Sequence, residues 1–122
     1  MAATILAGGA LWCALAVAAG AFGAHALAER LDVRSLALWE TAARYLMYGG
    51  IGAVLVGIAG VQWPRDGFVY AGISLLTGAL VFSGTVGAIA LGAPRWLGAV
   101  TPIGGLLMIA GFLVFAWTAI RL

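Results

Sequence analysis

All side-chain charge in this chain is confined to residues 29–44, 65–66, 95 and 121, and the segments between are uncharged and apolar. A bilayer's hydrocarbon core, about 30 Å thick, is crossed by roughly 20 apolar residues of helix. Four predominantly apolar runs meet that length, at about 3–27, 36–61, 68–91 and 102–120, the second with Glu40 and Arg44 near its start. Apolar residues make up 65% of the chain and charged ones 8%, against about 25% charge in soluble domains. Lipid must therefore solvate most of the surface. The expected fold is all-α: one domain over residues 1–122, an integral membrane, antiparallel bundle of four transmembrane helices with no water-exposed lobe.

The connections carry their own breakers. "ERLDVRS" (29–35) offers Asp32 or Ser35 as the cap of the second helix, and "QWPRDG" (62–67) contains Pro64 and Gly67. In "GAPRWLGAVTP" (92–102), Thr101 is the expected cap and Pro102 the first helical residue. Connections this short make consecutive spans antiparallel neighbours. Both termini then lie on one side, with Arg65 and Arg121, opposite Arg30, Arg34 and Arg95. Arginine counts favour the 28–35 and 92–97 loops in the cytoplasm and the termini outside. Trp63, Tyr70 and Trp117 fall near one interface and Trp39 and Trp96 near the other, as aromatic belts require.

Nineteen glycines suit close helix approach in lipid. Small residues four apart predict packing faces at Ala16, Gly20 and Ala24, at Gly49, Ala53 and Gly57, and at Gly84, Ala88 and Gly92. Such faces serve the bundle itself, a homo-oligomer or a membrane-protein partner. A net charge of +2 carried by scattered arginines, with no lysine, points to headgroup contact rather than nucleic acid. Cys13 is alone and reads as a small apolar filler, so neither a disulfide nor a thiolate metal site is expected. "AHA" at 24–26 imitates a signal-peptide cleavage site, but the apolar run before it is long and lacks a basic start. No internal repeat of useful strength is visible.

His25 lies near the end of the first span, at a depth comparable to Glu40 and Arg44, which share a helix face with Tyr48. A cluster of His25, Glu40, Arg44 and Tyr48 is therefore expected at one end of the bundle. It reads either as a polar clamp between the first two helices or as a proton-handling or ligand-binding group. No metal site is expected, since one histidine and one paired glutamate do not make a ligand set. Thr77, Ser83 and Thr85 lie at lipid depth, where hydroxyls usually bond a carbonyl one turn earlier. Nucleophile arrangements, phosphate loops and nucleotide fingerprints are absent, so no enzyme and no cofactor is expected.

Four segments together, "GAFGAHAL" (20–27), "WETAARYLMY" (39–48), "LVFSG" (80–84) and "TPIGG" (101–105), resemble a known family. It is the group of small bacterial inner-membrane proteins defined as domain of unknown function 423, with small transmembrane relatives in eukaryotes. The resemblance covers nearly the whole chain and implies about four spans, a bacterial cytoplasmic-membrane location and no assigned activity. Two departures stand out: Gly49 occupies a position where that family pattern has a second histidine, and "TVG" (85–87) replaces a Ser-Leu-Tyr stretch. Both remove polar groups, against a paired-histidine activity. The leading expectation is a non-catalytic scaffold or accessory subunit. The alternative is an oligomeric small-solute or proton conduit with the polar cluster at its mouth.

Overall fold

The computed structural model describes residues 1–122. Helix α1 covers Ala2–Phe22 and continues as a π-helical turn over Gly23–Leu27, and α2 covers Val33–Gln62. Helix α3 covers Asp66–Ala90, and α4 covers Thr101–Ile120 after a 3-10 turn at Arg95–Ala99. Each of the four is long and apolar enough to cross a bilayer. The protein is an all-α, multi-pass membrane protein. Trp39 and Trp63 lie about 36 Å apart along α2 at 1.5 Å per residue, close to the spacing of the two interfaces.

Local chemistry sets the helix ends. Helix α2 starts three residues before its apolar run because Asp32 caps it, its carboxylate accepting from the Ser35 N–H at 2.7 Å. Helix α3 stops at Gly92, whose φ of 104° is left-handed, and the Ala93 N–H returns to the Ala88 carbonyl at 2.9 Å. Thr101 is not the cap expected of it. Val100 takes that place, because the 3-10 turn runs straight into α4 and its backbone groups are already paired. The Thr101 hydroxyl turns instead toward α3, 2.6 Å from that of Thr85, and reaches the Leu97 carbonyl at 3.3 Å.

Helices α2 and α3 form the middle, with α1 packed on α2 and α4 on α3; α1 touches α3 less, and α1 and α4 do not touch. The bundle is thus open, with α1 and α4 as its edges. Burial agrees: 17% of the most apolar window is buried in α1 and in α4, against 39% in α2 and 33% in α3. The main core cluster, including Ile5, Val56, Phe68 and Leu75, lies in the half nearer the termini.

The seams between helices repeat every seven residues. On α1, Ala2 meets Gly60, Gly9 meets Gly50 and Val54, Ala16 is buried, and Gly23 meets Trp39. On α4, Gly104 meets Gly78 and Phe82, Gly111 meets Leu75, and Thr118 meets Gly67. A seven-residue step returns to within about 20° of the same helix face, which is the spacing of left-handed packing. A four-residue step drifts by about 40°. That drift changes the expected faces. Ala16 packs, but a side chain at Gly20 meets nothing within 4 Å, and Ala24 is exposed. Gly49 lies against Ala79 of α3 while Gly57 lies against Leu6 of α1, so this stripe passes from one neighbour to the other, with Ala53 fully buried between. Gly84 meets nothing within 4 Å, Ala88 is half-buried, and Gly92 is a helix stop.

Glycine meets glycine backbone at two crossings. A Cβ at Gly9 would lie 2.6 Å from the Gly50 carbonyl oxygen, and one at Gly78 would lie 2.8 Å from that of Gly104. Neither obstacle is a movable side chain. Gly9→Leu and Gly78→Leu should each lower stability by at least about 1–3 kcal/mol, the usual cost of overpacking. Gly20→Leu should stay within about 0.5 kcal/mol of the parent. Unfolding by SDS in mixed micelles measures both, and equal losses at all three positions would refute the assignment of the seams.

Candidate functional site

The four residues of the polar cluster expected from the sequence all face outward. His25 lies in the π-helical turn, Glu40, Arg44 and Tyr48 lie on one face of α2, and all four are exposed. None hydrogen-bonds another. Tyr48 stacks edge-on against Tyr45 at 5.2 Å, and Tyr45 packs against Phe82 at 4.6 Å. The reason is rotational: the face of α2 bearing Glu40, Arg44 and Tyr48 continues through exposed Ile51 and Leu55, opposite the seams with α1 and α3. No group of three or more His, Cys, Asp or Glu side chains is placed to hold a metal ion.

An apolar concavity lies elsewhere. A crevice of about 180 Å³ opens between α1 and α3 with α2 as its floor, lined by Ala19, Trp39, Ala42, Ala43, Ser83 and Gly84 together with two leucines. It forms because α1 and α3 meet only near the end that carries the termini. There Ile5 fills the space over Gly72, Gly8 meets Leu76, and the Trp12 indole N–H donates to the Leu76 carbonyl at 2.9 Å. Toward the other end the Trp39 indole enters instead, its ring against Gly23 and its N–H donating to the Ala19 carbonyl at 2.8 Å. Beyond that ring, α1 and α3 no longer meet, and small residues leave the floor low.

Ser83 is the exceptional side chain of the crevice. It is 9% exposed, and its hydroxyl has no hydrogen-bond partner. Thr41, Thr85 and Thr118 each donate to the carbonyl one turn earlier, at 3.0, 2.8 and 2.8 Å. Sequence reasoning expected such a bond from Thr77, Ser83 and Thr85; of the three only Thr85 makes it, Thr77 being exposed and Ser83 buried without a partner. Ser74 drew no notice in the sequence, yet it donates to the Leu107 carbonyl of α4 at 2.5 Å.

Just above the crevice, where α2 begins and α3 ends, a water-facing pocket of about 440 Å³ is lined by Arg34, Arg95, Asp32 and Ser35. The Ser35 backbone N–H, then the Ser35 side chain and the charge of Arg34, hold the Asp32 carboxyl below its ordinary value. This charged pocket is separate from the apolar crevice and shares no lining residue with it.

With the geometry in place, relatedness can be stated. The family model described as a protein of unknown function (DUF423) matches residues 19–105. The chain belongs to this family. A UPF0382 membrane protein of Staphylococcus haemolyticus is 42% identical over 112 residues, covering 87% of this chain and 86% of its own. One from Staphylococcus saprophyticus is 43% identical over 107 residues, covering 87% and 88%. A third, from Bacillus subtilis, is 32% identical over 114 residues, covering 93% of both. No solved structure matches the chain. The family has no assigned activity, and its named members are described only as membrane proteins.

The Asp32 cap has a pH signature. A carboxyl with a lowered folded-state pKa stabilises the fold above its unfolded value, here 3.8, and that contribution is lost as pH falls through the folded value. Asp32→Ala should therefore be less stable than the parent at about pH 7, and the difference should shrink as the pH falls below the unfolded value of 3.8. SDS titrations across this range decide this, and a difference that does not shrink in acid would exclude the carboxylate as its source.

Proposed function

We propose that this protein is a non-catalytic component of the bacterial cytoplasmic membrane that works by lateral association, with the outward face of α1 as its contact. One observation carries the reading. Ala7, Ala10, Ala14, Ala18 and Ala21 fall at three- and four-residue steps on α1, all exposed and directed away from α2 and α3. The other edge helix presents Leu106, Ile109 and Leu113 to lipid, at 65%, 58% and 65% exposure. Bulky side chains suit fluid acyl chains, whereas a flat alanine face lets another helix's backbone approach. His25 lies at the end of the same face, clear of α2. The location rests on the helical architecture, since outer-membrane proteins of bacteria span as closed β-barrels.

A conduit gains no support from the arrangement of side chains. His25 and the Glu40–Arg44 face are exposed on separate helices, and the seams between helices are lined by glycine, alanine and leucine.

Native mass spectrometry of the protein extracted in polymer discs, without detergent exchange, tests the proposal. The parent should appear as a homo-oligomer or with a stoichiometric second protein. Ala14→Leu combined with Ala18→Leu should reduce that complex at least tenfold and leave the folded monomer intact. A monomeric parent, or a complex indifferent to the two leucines, would overturn the reading.

A further inference from the structure

We infer that the pocket between the start of α2 and the end of α3 is a phosphate site, in which Arg34 and Arg95 hold the phosphodiester of an anionic phospholipid. The inference is independent of the α1 contact, because no residue of α1 lines this pocket.

Three features point to this ligand. The first is convergence. Arg34 belongs to the first turn of α2, which the Asp32 cap fixes. Arg95 follows the Gly92 turn and Pro94, where the Ala93 N–H is tied back to the Ala88 carbonyl and the Leu97 N–H to that of Pro94. Guanidinium groups from two separate connections thus line one pocket, on backbones already held by their own hydrogen bonds. Guanidinium N–H groups match phosphate oxygens in bidentate pairs.

The second feature is charge. Two arginines and one aspartate line the pocket, a surplus of one positive charge. Asp32 accepts from the Ser35 N–H and forms no ion pair with either arginine. A phosphodiester carries one negative charge and completes the balance. The headgroup of phosphatidylglycerol adds only hydroxyls to it, whereas that of phosphatidylethanolamine brings an ammonium beside the guanidinium groups. At the opposite end Arg65 and Arg121 also share a pocket with Asp66, but there the Arg121 guanidinium lies over the Trp117 ring, 5.4 Å from its centre. The third feature is depth. Trp96 adjoins Arg95, and Trp39 lies one turn beyond Ser35, about 6 Å nearer the bilayer centre. Both belong to the aromatic belt, so the pocket sits on its water side, level with lipid phosphates. Leu38 and Ile89, each about one turn nearer the bilayer than Ser35 and Gly92, supply apolar lining below the charges. That is the order of groups along a phospholipid.

The full-length protein is mixed in nonionic micelles with equal amounts of phosphatidylglycerol and phosphatidylethanolamine, and the lipid retained on each chain is counted by native mass spectrometry. The parent should retain one phosphatidylglycerol per chain in preference to phosphatidylethanolamine. Arg34→Gln and Arg95→Gln should each weaken that retention at least about tenfold, the effect of losing charge-assisted hydrogen bonds, and the double variant should remove the preference. Arg30→Gln takes the same charge from the same end of the bundle but lies outside the pocket, and should leave retention unchanged. All these variants should unfold at the parent's midpoint in lipid-free micelles, because the three arginines are exposed.

Equal retention of the two lipids by the parent would overturn the proposal. So would an equal loss in Arg30→Gln, which would mean diffuse attraction to surface charge. A loss in Arg65→Gln with none in Arg34→Gln would place the lipid at the other end of the bundle and reject the pocket. Inorganic phosphate is the remaining source of the same chemistry. Without a preference for phosphatidylglycerol, an unfolding midpoint raised by inorganic phosphate in the parent but not in the double variant would give the two arginines to a soluble phosphate and reject the lipid.

Discussion

Close approach of helix backbones is the constraint on which the structure rests. In lipid the exchange of one apolar contact for another gives no hydrophobic drive for helices to pair, so association depends on dispersion at short range and on hydrogen bonds across helices. Gly9 against Gly50 and Gly78 against Gly104 provide that approach in the α1–α2 and α3–α4 hairpins. Gly49 against Ala79 and Gly52 against Leu75 then join the two hairpins into one layer. The Trp12, Trp39 and Ser74 hydrogen bonds to carbonyls of neighbouring helices add to this, each worth on the order of 1 kcal/mol. Since α1 and α4 have no common seam, each keeps a broad face for lipid or a partner.

The two ends of the bundle differ because different residues keep α1 and α3 apart. Near the termini, Gly72 and Gly8 let the helices touch across Ile5 and Leu76. At the opposite end an indole takes that space, and α1 answers with Gly23 and a π-helical turn, which widens the helix and shifts its register where the Trp39 ring lies. The crevice follows from this exchange. Its floor is low because Ala42 and Ala43 stand where larger residues would close it, and its wall is low at Gly84. The charge sits one level higher, at Arg34, Arg95 and Asp32, where water can solvate it.

How much of this the sequence revealed depends on the kind of signal. Apolar run length identified the four membrane helices, because the bilayer sets that length from outside the chain. Asp32 was legible as one of two caps, and the structure selects it. The packing faces were legible only in part. Glycine at four-residue steps is a salient pattern, but in a left-handed bundle residues seven apart stay in register, as Ala2, Gly9, Ala16 and Gly23 do. The polar residues were expected as a cluster at one end, and the structure leaves them exposed on two helices with no hydrogen bond among them. Depth is read from position along a span, whereas rotation depends on the neighbours. Ser83 was read as a hydroxyl bonded one turn back, since an unpartnered hydroxyl and a satisfied one have the same letter and the same hydropathy.

Small residues in this family member thus fall into three physical classes. Glycines at the seams are consumed by their own bundle and report only on its stability. Ala19, Ala42, Ala43 and Gly84 create space, and space at bilayer depth is useful only to something dissolved in the bilayer. The alanines on the outer face of α1 create flatness, which another helix can use. With a chain this short and interior seams this apolar, the last two classes are where differences between members of the family should acquire functional meaning. A substitution that enlarges a seam glycine acts through folding. One that fills the crevice at Gly84 or enlarges an outward alanine of α1 lies outside the seams and leaves the fold in place.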